Sequence, residues 1–430
     1  MRRRDFLKTT ATSALASLAT EPLSAAQTFA QNVQEKNPRG KEIRDRIKPI
    51  TKEERLERQE KARKLMELNG MDALFFEGST SLRYFTGVSW DRSERLFGMV
   101  LPKNGAAQYV APKFEESRAL EQIGDARLLT WEEDERPYEL VKQILEENNI
   151  ITGTIGIEET TRYLVTENIG KTMSALTLVS GTPVTAGCRS VKSVHEIELM
   201  QIANEITAEA FKAALPTLRE GMTEKEFART ISQRFSEFGV NGGALVLFGE
   251  ASAHPHGLIK EQPLREGDIV LIDGGCSVEG YASDVTRTTV FGKPTAKMQR
   301  VWGLVRKAQD TALAAAKPGI PAEAVDAAAR KVISDGGYGP DHKYFTHRLG
   351  HGIGMEGHEW YYLVKGNRRA LEAGNMFSNE PGIYIVGEFG IRLEDEMLIT
   401  VYDPIRSTTR REHGARLLLP QAESLEKILP

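Results

Sequence analysis

The chain has 430 residues, of which 27% are charged and 40% are hydrophobic, and its formal net charge at pH 7 is −4. This length allows two or three domains of an ordinary soluble protein, and no basic blocks suited to a phosphate backbone occur, so no nucleic-acid partner is expected. The two cysteines, Cys188 and Cys276, could form at most one disulfide, and there is no CxxC motif. Any bound metal must therefore be held by carboxylate oxygens and imidazole nitrogens.

The first 40 residues predict an export signal rather than part of the fold. Arg3 and Arg4 stand ahead of the segment DFLK, and a weakly apolar run from Thr9 to Thr20 follows. That run is too short to cross a bilayer but is typical of a twin-arginine signal, with small residues suited to cleavage after it. No cysteine lies nearby, so we expect an exported, periplasmic protein without a stable membrane anchor. The alternative is a basic, disordered N-terminus.

Residues 48–185 predict an α/β domain. The segment ERLERQEKARKLMELNGMDALFF begins as an amphipathic helix, stops at Asn69-Gly70 and continues as an apolar strand. Two further strands are predicted at RLFGMVLP and AAQYVAP, and two helices at KFEESRALEQIG and YELVKQILEENN. The segment LVSGTPVTAGCRSVKS is rich in glycine, serine and proline and is interpreted as the linker to a second domain, residues 186–430.

A long helix predicted from about Ser193 opens this second domain, which contains a weak internal repeat. MQIANEITAEAFKAALPTLREGMTEKEFARTISQRFSEFG aligns without gaps on MQRVWGLVRKAQDTALAAAKPGIPAEAVDAAARKVISDGG. Each copy predicts a helix, a glycine turn and a second helix, and a Thr223–Glu226 capping box opens the second helix of the first copy. The identical aligned pairs are Met200 with Met298, Gln201 with Gln299, Gly221 with Gly319, and Gly239 with Gly337.

The same spacing of carboxylates follows each copy. EGDIVLID ends in Asp273 and AGNMFSNE ends in Glu380, each six residues after a glycine and at the end of an apolar, strand-like run. A second acid comes later in each half, Asp284 in the first and Glu394 in the second. Two related halves that each donate two carboxylates from strands predict a site on a pseudo-twofold axis.

Four converging carboxylates would repel one another strongly unless cations neutralised them. Two divalent ions cancel four negative charges, and one imidazole would bring the number of protein ligands to five, with a bridging water or hydroxide completing both sites. Oxygen-rich ligation favours manganese, cobalt or iron, although zinc is not excluded. Two adjacent ions lower the pKa of a bridging water and clamp an attacked carbonyl, so the predicted chemistry is hydrolysis.

Several motifs resemble one known family. HRLGHGIGMEGHE, FSNEPGIYI, DGGCSVEGYASDVTRTTVFG and GIRLEDE resemble the five-ligand signature of the dinuclear metallopeptidases of family M24, which have the pita-bread fold, and SAHPHG and CRSVKSVHEIELMQIA match in the same order. The additional creatinase-type N-terminal domain makes the chain similar to the branch of Xaa-Pro aminopeptidases and prolidases. The resemblance extends from about residue 50 to the C-terminus. It implies an α/β N-terminal domain followed by an α+β pita-bread catalytic domain.

The resemblance also implies residue roles. The metal ligands would be Asp273, Asp284, His351, Glu380 and Glu394. Asp284 and Glu394 would bridge the two ions, and Glu380 would also relay a proton as general base and then general acid.

Other residues of the site would contact the substrate. His256 and His358 would hydrogen-bond it near the scissile bond and stabilise the tetrahedral intermediate. His347 would line the same pocket, although a structural hydrogen bond is an equal alternative for it. Arg392 and Tyr384 would border the side of the cleft that binds proline. Two neighbours are expected to be structural: Arg287 in a local ion pair and Cys276 packed near the site.

The function implied by the resemblance is hydrolysis of Xaa-Pro bonds in short peptides by attack of a metal-bridging hydroxide, by either an aminopeptidase or a dipeptidase. Ordinary proteases handle this bond poorly because it lacks an N–H group and is sterically fixed. The alternatives are a small-amide hydrolase or lyase on the same scaffold, or an inert binding homologue. A creatinase-like enzyme is disfavoured because that branch works without the metals and lacks the full ligand set, and all five ligands are present here. A homodimer or homotetramer is expected.

Overall fold

The computed structural model describes residues 38–400 and 414–429. The predicted export signal lies outside these residues, except for its last three positions, where the first helix begins. Within the described ranges, no helix is both long enough and apolar enough to cross a membrane.

The N-terminal half of the described chain is built on one mixed sheet with helices on both faces. Its strand order, among the described residues, is β4-β3-β2-β1-β5-β6, in which β1 runs antiparallel to β2 and parallel to β5. The elements in chain order are α1 (Pro38–Arg44), α2 (Lys52–Leu68), β1 (Ala73–Glu77), α3 (Thr80–Thr86), β2 (Gly98–Pro102), β3 (Gln108–Pro112), α4 (Glu116–Ile123), β4 (Arg127–Trp131), α5 (Pro137–Glu147), β5 (Gly153–Ile157), α6 (Tyr163–Thr172), β6 (Leu176–Ser180) and α7 (Thr182–Arg189).

The central strand β1 shows why this sheet needs helices on both faces. Side chains alternate across a strand, and every residue of β1 is buried. Leu74 and Phe76 belong to one hydrophobic core, and Ala73 and Phe75 to another on the opposite face. The predicted helix before this strand is confirmed as α2, which begins with a capping box at Thr51.

The predicted linker is wrong. The segment LVSGTPVTAGCRSVKS contains the end of β6 and the whole of α7, so ordered elements continue up to Arg189. Pro183 lies in the first turn of α7, where a proline favours a helix because its φ angle is already helical and no N–H partner is needed there. Val184 and Cys188 are then buried against the N-terminal core, which explains why this small-residue segment folds.

The C-terminal half begins with the long helix predicted from Ser193, which is confirmed as α8 with Ser193 as its N-cap. Among the described residues, its sheets have the orders β10-β8-β7, with β9 beside β8, and β12-β11-β13-β16-β17, together with the hairpin β14-β15. The elements are α8 (Val194–Ala214), α9 (Glu224–Glu237), β7 (Gly242–Phe248), β8 (Ile269–Val278), β9 (Tyr281–Ala282), β10 (Val285–Val290), α10 (Ala296–Ala315), α11 (Ala322–Ile333), β11 (Gly350–Gly352), β12 (Glu359–Leu363), β13 (Met376–Asn379), β14 (Gly382–Ile385), β15 (Phe389–Arg392), β16 (Asp395–Thr400) and β17 (Gly414–Leu417).

The internal repeat is confirmed at the level of the elements. Helices α8 and α9 correspond to α10 and α11, and a strand that carries or precedes a predicted metal ligand follows each pair. The aligned glycines share a left-handed backbone, with φ of 78° at Gly221 and 86° at Gly319, and 74° at Gly239 and 88° at Gly337. Glycine adopts this conformation without steric cost, which explains why the repeat retains it at these four turns.

The two halves of the repeat meet at their strands. An isolated bridge joins Thr286 in β10 to Glu394, the residue before β16. The Glu394 N–H group donates to the Thr286 carbonyl oxygen at 3.2 Å. This contact brings the first sheet and the second sheet together at the point where the predicted carboxylates lie.

Candidate metal centre

A cavity of about 360 Å³ lies where the two sheets meet. Nine of the ten predicted site residues line it, and the tenth, Tyr384, is buried behind its wall. The lining residues are Pro255, His256, Asp273, Asp284, His347, Arg348, His351, His358, Glu380, Arg392 and Glu394. The structure therefore brings together residues that are separated by as many as 139 positions in the chain.

The carboxylates form two groups that share one member. Asp273, Asp284 and Glu394 each offer an oxygen within 4.8 Å of the others, and Glu394 also belongs to a group with His351 and Glu380. Asp273 lies in β8 opposite Thr286 of β10. The Thr286 hydroxyl donates to Glu394 Oε2 at 2.6 Å, which holds that carboxylate between the two groups.

His351 is held in the tautomer that a metal ligand needs. Its Nδ1 lies 3.0 Å from the Gly352 carbonyl oxygen, which can only accept, so Nδ1 carries the hydrogen. Nε2 therefore directs its lone pair into the cavity, 3.3 Å from Glu380 Oε1 and 3.9 Å from Asp284 Oδ2. A carbonyl behind a ligating imidazole is the usual arrangement in metal sites.

The glycine before His351 has a packing reason. A Cβ atom at Gly350 would lie 2.0 Å from the Ser378 carbonyl oxygen, so a larger residue would push β11 away from β13. This close approach lets the Ser378 hydroxyl accept from the His351 N–H group at 3.0 Å and donate to Glu380 Oε1 at 3.2 Å. Ser378, which the sequence did not single out, thus fixes two predicted ligands.

The electrostatics of the acidic cluster fit a divalent metal pair. Burial, together with the Asp273 and Glu380 carboxylates, raises the pKa of Asp284 well above its usual range. Burial and the neighbouring Asp284 do the same to the pKa of Glu394. These carboxylates resist ionisation side by side without cations, and an oxygen-rich donor set with one imidazole suits hard or borderline divalent ions.

Glu380 differs from its neighbours. Burial alone would raise its pKa, but the neighbouring His351, His347 and Arg392 side chains lower the pKa to about 2. The Glu380 Oε2 atom lies 3.8 Å from His347 Nδ1. Glu380 is thus stabilised as an anion by the basic side chains around it.

A buried chain of hydrogen bonds supports the wall beside Asp273. The Arg392 guanidinium donates to Asp273, to the Tyr384 hydroxyl at 2.8 Å and to the Pro255 carbonyl oxygen at 3.2 Å. Its Nε group also donates to the Thr286 hydroxyl at 3.2 Å. Arg392 therefore uses four of its five N–H donors on the protein, which gives it a positioning role in this structure.

His347 continues this chain on the far side of Tyr384. Its Nδ1 donates to the Arg348 carbonyl oxygen at 2.8 Å, so Nε2 accepts from the Tyr384 hydroxyl at 2.8 Å. Burial lowers the pKa of His347 and raises the pKa of Tyr384 to about 12, so both side chains are neutral at pH 7. The substrate-binding roles of His347, Arg392 and Tyr384 stay predictions.

The two remaining histidines lie at the open side of the cavity. His256 and His358 are both exposed, and the rings of His358 and His351 are 3.9 Å apart between centroids. Burial of one face and the neighbouring His351 lower the pKa of His358. Its position also allows a contact with a metal near Asp284, since these two residues and His351 form a third potential ligand group.

Sequence reasoning missed the ion pairs that hold the histidine segment in place. Glu359 is almost fully buried and pairs with Arg189 at 2.7 Å and with Lys192 at 2.9 Å. Both cations come from the motif CRSVKS. No local pattern in this motif indicates that its partner, Glu359, lies about 170 positions later in the chain. Two structural expectations are confirmed: Arg287 pairs with Asp395 at 2.7 Å, and Cys276 is buried as a free thiol, as is Cys188.

Comparisons with known proteins agree with this architecture. The profile of metallopeptidase family M24 matches residues 198–401, and that of the creatinase/prolidase N-terminal domain matches residues 58–191. An uncharacterized peptidase of Schizosaccharomyces pombe is 38% identical over 350 residues, which cover 76% of this chain and 75% of that protein. The chain therefore belongs to metallopeptidase family M24 and is an enzyme of the peptidase class.

Solved structures place the fold within one branch of this family. A prolidase from Thermococcus sibiricus superposes with a TM-score of 0.74 and 32% identity, covering 84% of this chain and 95% of that one. An Xaa-Pro dipeptidase from Bacillus anthracis superposes with a TM-score of 0.73 and 27% identity, covering 85% and 97%. The predicted fold class, a creatinase-type domain followed by a pita-bread catalytic domain, is confirmed.

Proposed function

We propose that this protein is a dinuclear metal-dependent exopeptidase that hydrolyses Xaa-Pro bonds in short peptides. The observation that supports it most is the pair of ligand groups that share Glu394, because two groups with a common carboxylate suit two adjacent ions. The names of the two superposed structures, a prolidase and an Xaa-Pro dipeptidase, support the choice of substrate.

The residues that would hold the two ions are Asp273, Asp284, His351, Glu380 and Glu394, with Asp284 and Glu394 shared. We propose manganese as the metal. Cobalt, iron and zinc are the alternatives that the same donors could bind. When bound, such a pair supplies an activated water and polarises the attacked carbonyl.

The protein's own residues supply the proton transfer and the orientation of the substrate. Glu380 takes a proton from the attacking water and gives it to the leaving imino nitrogen, and the Ser378 hydroxyl holds its carboxylate in place. His256 and His358, at the open side, donate hydrogen bonds to the substrate oxygens on which negative charge develops. On the side of the cavity away from these two histidines, a hydrogen-bonded chain keeps the wall rigid. It runs through Asp273, Arg392, Tyr384 and His347.

The alternative is a small-amide hydrolase or lyase that uses the same metal-binding residues. The cavity volume of about 360 Å³ is at the lower end of the range for ligand sites, which suits one or two residues of a peptide but also suits a small amide. An inert binding protein is the weakest candidate, because all five metal-binding positions are occupied by competent side chains.

The deciding experiment is a metal-dependent peptidase assay on the mature protein. Purified protein with added Mn²⁺ would be given an Xaa-Pro dipeptide, an Xaa-Pro-Xaa tripeptide and an Xaa-Ala control. We expect the protein to cleave a proline substrate. A chelator should abolish this cleavage, and added metal should restore it. Binding of two metals without cleavage of any proline substrate would instead favour the small-amide alternative.

We also propose that the enzyme is exported to the periplasm by the twin-arginine route and acts as a homodimer or homotetramer. The motif at Arg3 and Arg4 supports the first point. A reporter fused to residues 1–45 tests it: export should stop when both arginines become lysine, and export that continues would contradict it. Sedimentation of the mature protein tests the second point, and a monomer at micromolar concentration would contradict it.

A further inference from the structure

Arg348 lines the cavity but has no role in the ligand set or in the hydrogen-bonded wall. Its guanidinium carbon lies 3.9 Å from the centre of the Tyr362 ring, a cation–π contact that fixes the plane of the side chain. Within residues 38–400 and 414–429, its guanidinium forms no hydrogen bond and no ion pair. A half-buried arginine that faces a ligand cavity with all its donors free is available to an anion.

The strand register places this guanidinium beside the metal-binding residues. Tyr362 in β12 is directly opposite His351 in β11, and directly opposed residues of an antiparallel pair project from the same face. The Tyr362 ring, with Arg348 above it, therefore lies on the face of the hairpin that carries the His351 imidazole. His358, immediately before β12, completes this side of the cavity.

Charge in the cavity gives the unpaired arginine a purpose. Four carboxylates form the floor of the cavity: Asp273, Asp284, Glu380 and Glu394. The second arginine of the lining, Arg392, already donates to Asp273, Tyr384, Pro255 and Thr286. With two divalent ions bound, the four carboxylates are neutralised. Arg392 keeps at most one of its five N–H donors, so it offers little to an anionic group on a substrate. The Arg348 guanidinium offers a planar fork of N–H groups that matches a carboxylate.

We propose that Arg348 binds the free C-terminal carboxylate of the substrate, so that the enzyme prefers Xaa-Pro dipeptides to longer peptides. This inference rests on the proposed Xaa-Pro peptidase function and specifies its substrate class. In a dipeptide the carboxylate is attached to the proline itself, one residue beyond the scissile bond. The small cavity agrees with a ligand that ends there, whereas a longer peptide would place its carboxylate elsewhere.

The test compares a dipeptide with its amide, which differ only in the charge at the C-terminus. Steady-state kinetics on Ala-Pro and Ala-Pro-amide would be measured for the wild type and for Arg348→Gln. Loss of a charge-assisted contact should lower kcat/KM for Ala-Pro by about 10- to 100-fold, mostly through KM, and change the value for the amide by less than about twofold. Arg348→Lys keeps the charge and should restore part of the preference.

Arg369→Gln is the matched control. Arg369 also stacks on a tyrosine of β12, at 3.7 Å from the Tyr361 ring, and it pairs with Glu372, but it does not line the cavity. This variant should leave both substrates unchanged. Equal loss on dipeptide and amide in Arg348→Gln, or no loss on either, would overturn the assignment of Arg348.

A binding measurement separates this inference from the proposed function. Calorimetric titration at low temperature measures the affinity of metal-loaded wild type and Arg348→Gln for Ala-Pro and Ala-Pro-amide. If the peptides are cleaved, proline and prolinamide are titrated in their place. Preference for the carboxylate form in the wild type that disappears in Arg348→Gln supports the role of Arg348, even if the wild type cleaves neither peptide. Absence of cleavage by the wild type contradicts the proposed function alone, and equal affinities for the two forms contradict the inference alone.

Discussion

The two halves of the catalytic domain share one order of elements but differ in what they add to the site. Each half provides two carboxylates, Asp273 and Asp284 in the first half and Glu380 and Glu394 in the second. The second half adds the His351 imidazole and a hairpin that carries further basic side chains. The repeat thus builds a symmetric acidic floor, and the side chains that depart from the repeat make the rest of the cavity asymmetric.

Both halves are also attached to the N-terminal domain through a buried acid. In the first half, Glu196 of α8 accepts from the Tyr281 hydroxyl at 2.8 Å and pairs with Arg58 of α2 at 3.3 Å. In the second half, Glu359 pairs with Arg189 of α7 and with Lys192. The N-terminal domain thus braces each half separately, close to the elements that carry the cavity.

The largest effect is expected where the two halves share a ligand. Glu394→Gln removes a carboxylate that belongs to both ligand groups, so metal binding should fall from two ions to at most one, and activity by about 1,000-fold or more. Elemental analysis and the peptidase assay measure both. The control is Glu388→Gln, on the exposed pair with Lys297 in the same half, which should change neither. Two ions in Glu394→Gln would contradict the shared role.

The attachment of the second half predicts a large effect on stability. Glu359→Gln leaves Lys192 buried without its anion and leaves Arg189 only its pair with Glu356, which should lower the free energy of unfolding by about 3–5 kcal/mol. Denaturant unfolding measures this, with Asp335→Asn as the control, because its pair with Lys331 is exposed and contributes less than about 1 kcal/mol. A loss below 1 kcal/mol in Glu359→Gln would show that the ion pairs do not brace this half.

The same attachment predicts a pH dependence. Burial alone would raise the pKa of Glu359, but Lys192 and Arg189 lower it to about 2. A carboxyl group whose pKa falls on folding stabilises the protein above its unfolded pKa, about 4.3, and this contribution is lost as the pH falls towards 2. The stability difference between wild type and Glu359→Gln should therefore be full at pH 7 and smaller at pH 3. A constant difference across this range would contradict the assignment.

A smaller effect is expected at the contact that joins the halves. Thr286→Val removes the hydroxyl that donates to Glu394 and accepts from Arg392, so affinity for the metals should fall by about 10- to 100-fold. Competition with a chelating dye measures this affinity. Thr289→Val, in the same strand, removes only a bond to the Leu425 carbonyl oxygen and should leave the affinity unchanged. Equal losses in the two variants would assign the effect to the strand in general.

The smallest effect concerns the cysteines. Cys188 lies in the N-terminal core and Cys276 in the catalytic domain, both as buried free thiols. Reductant should therefore leave the thermal unfolding temperature unchanged. A decrease of several degrees in this temperature on reduction would show that Cys188 and Cys276 are linked by a disulfide.

The sequence predicted the symmetric part of the site because that part depends on local patterns. A carboxylate six residues after a glycine at the end of an apolar run could be recognised twice, and the structure brings all four acids into one cavity. The predicted linker was wrong for a local reason as well. Its glycine, serine and proline content predicts a loop, whereas a proline in the first turn and buried apolar residues favour a helix.

The rest of the site depends on contacts between distant segments, which no local pattern reports. Thr286 is important because Glu394, 108 positions later, lies against it. Arg348 stands beside predicted site residues in HRLGHG, but only the fold shows that Tyr362 holds its side chain and that no acid of the described residues pairs with it. Glu359 is visible in the sequence as the residue next to His358, yet its partners lie about 170 positions earlier in the chain.

The most direct test of the account is a manganese titration of the metal-free protein followed by electron paramagnetic resonance. Glu394 and Asp284 are proposed to bridge two ions, so the second equivalent of Mn²⁺ should convert the signal of an isolated ion into that of an exchange-coupled pair. Glu394→Gln should not show this conversion. Saturation at one ion per chain, or two ions that stay magnetically independent in the wild type, would contradict the dinuclear centre.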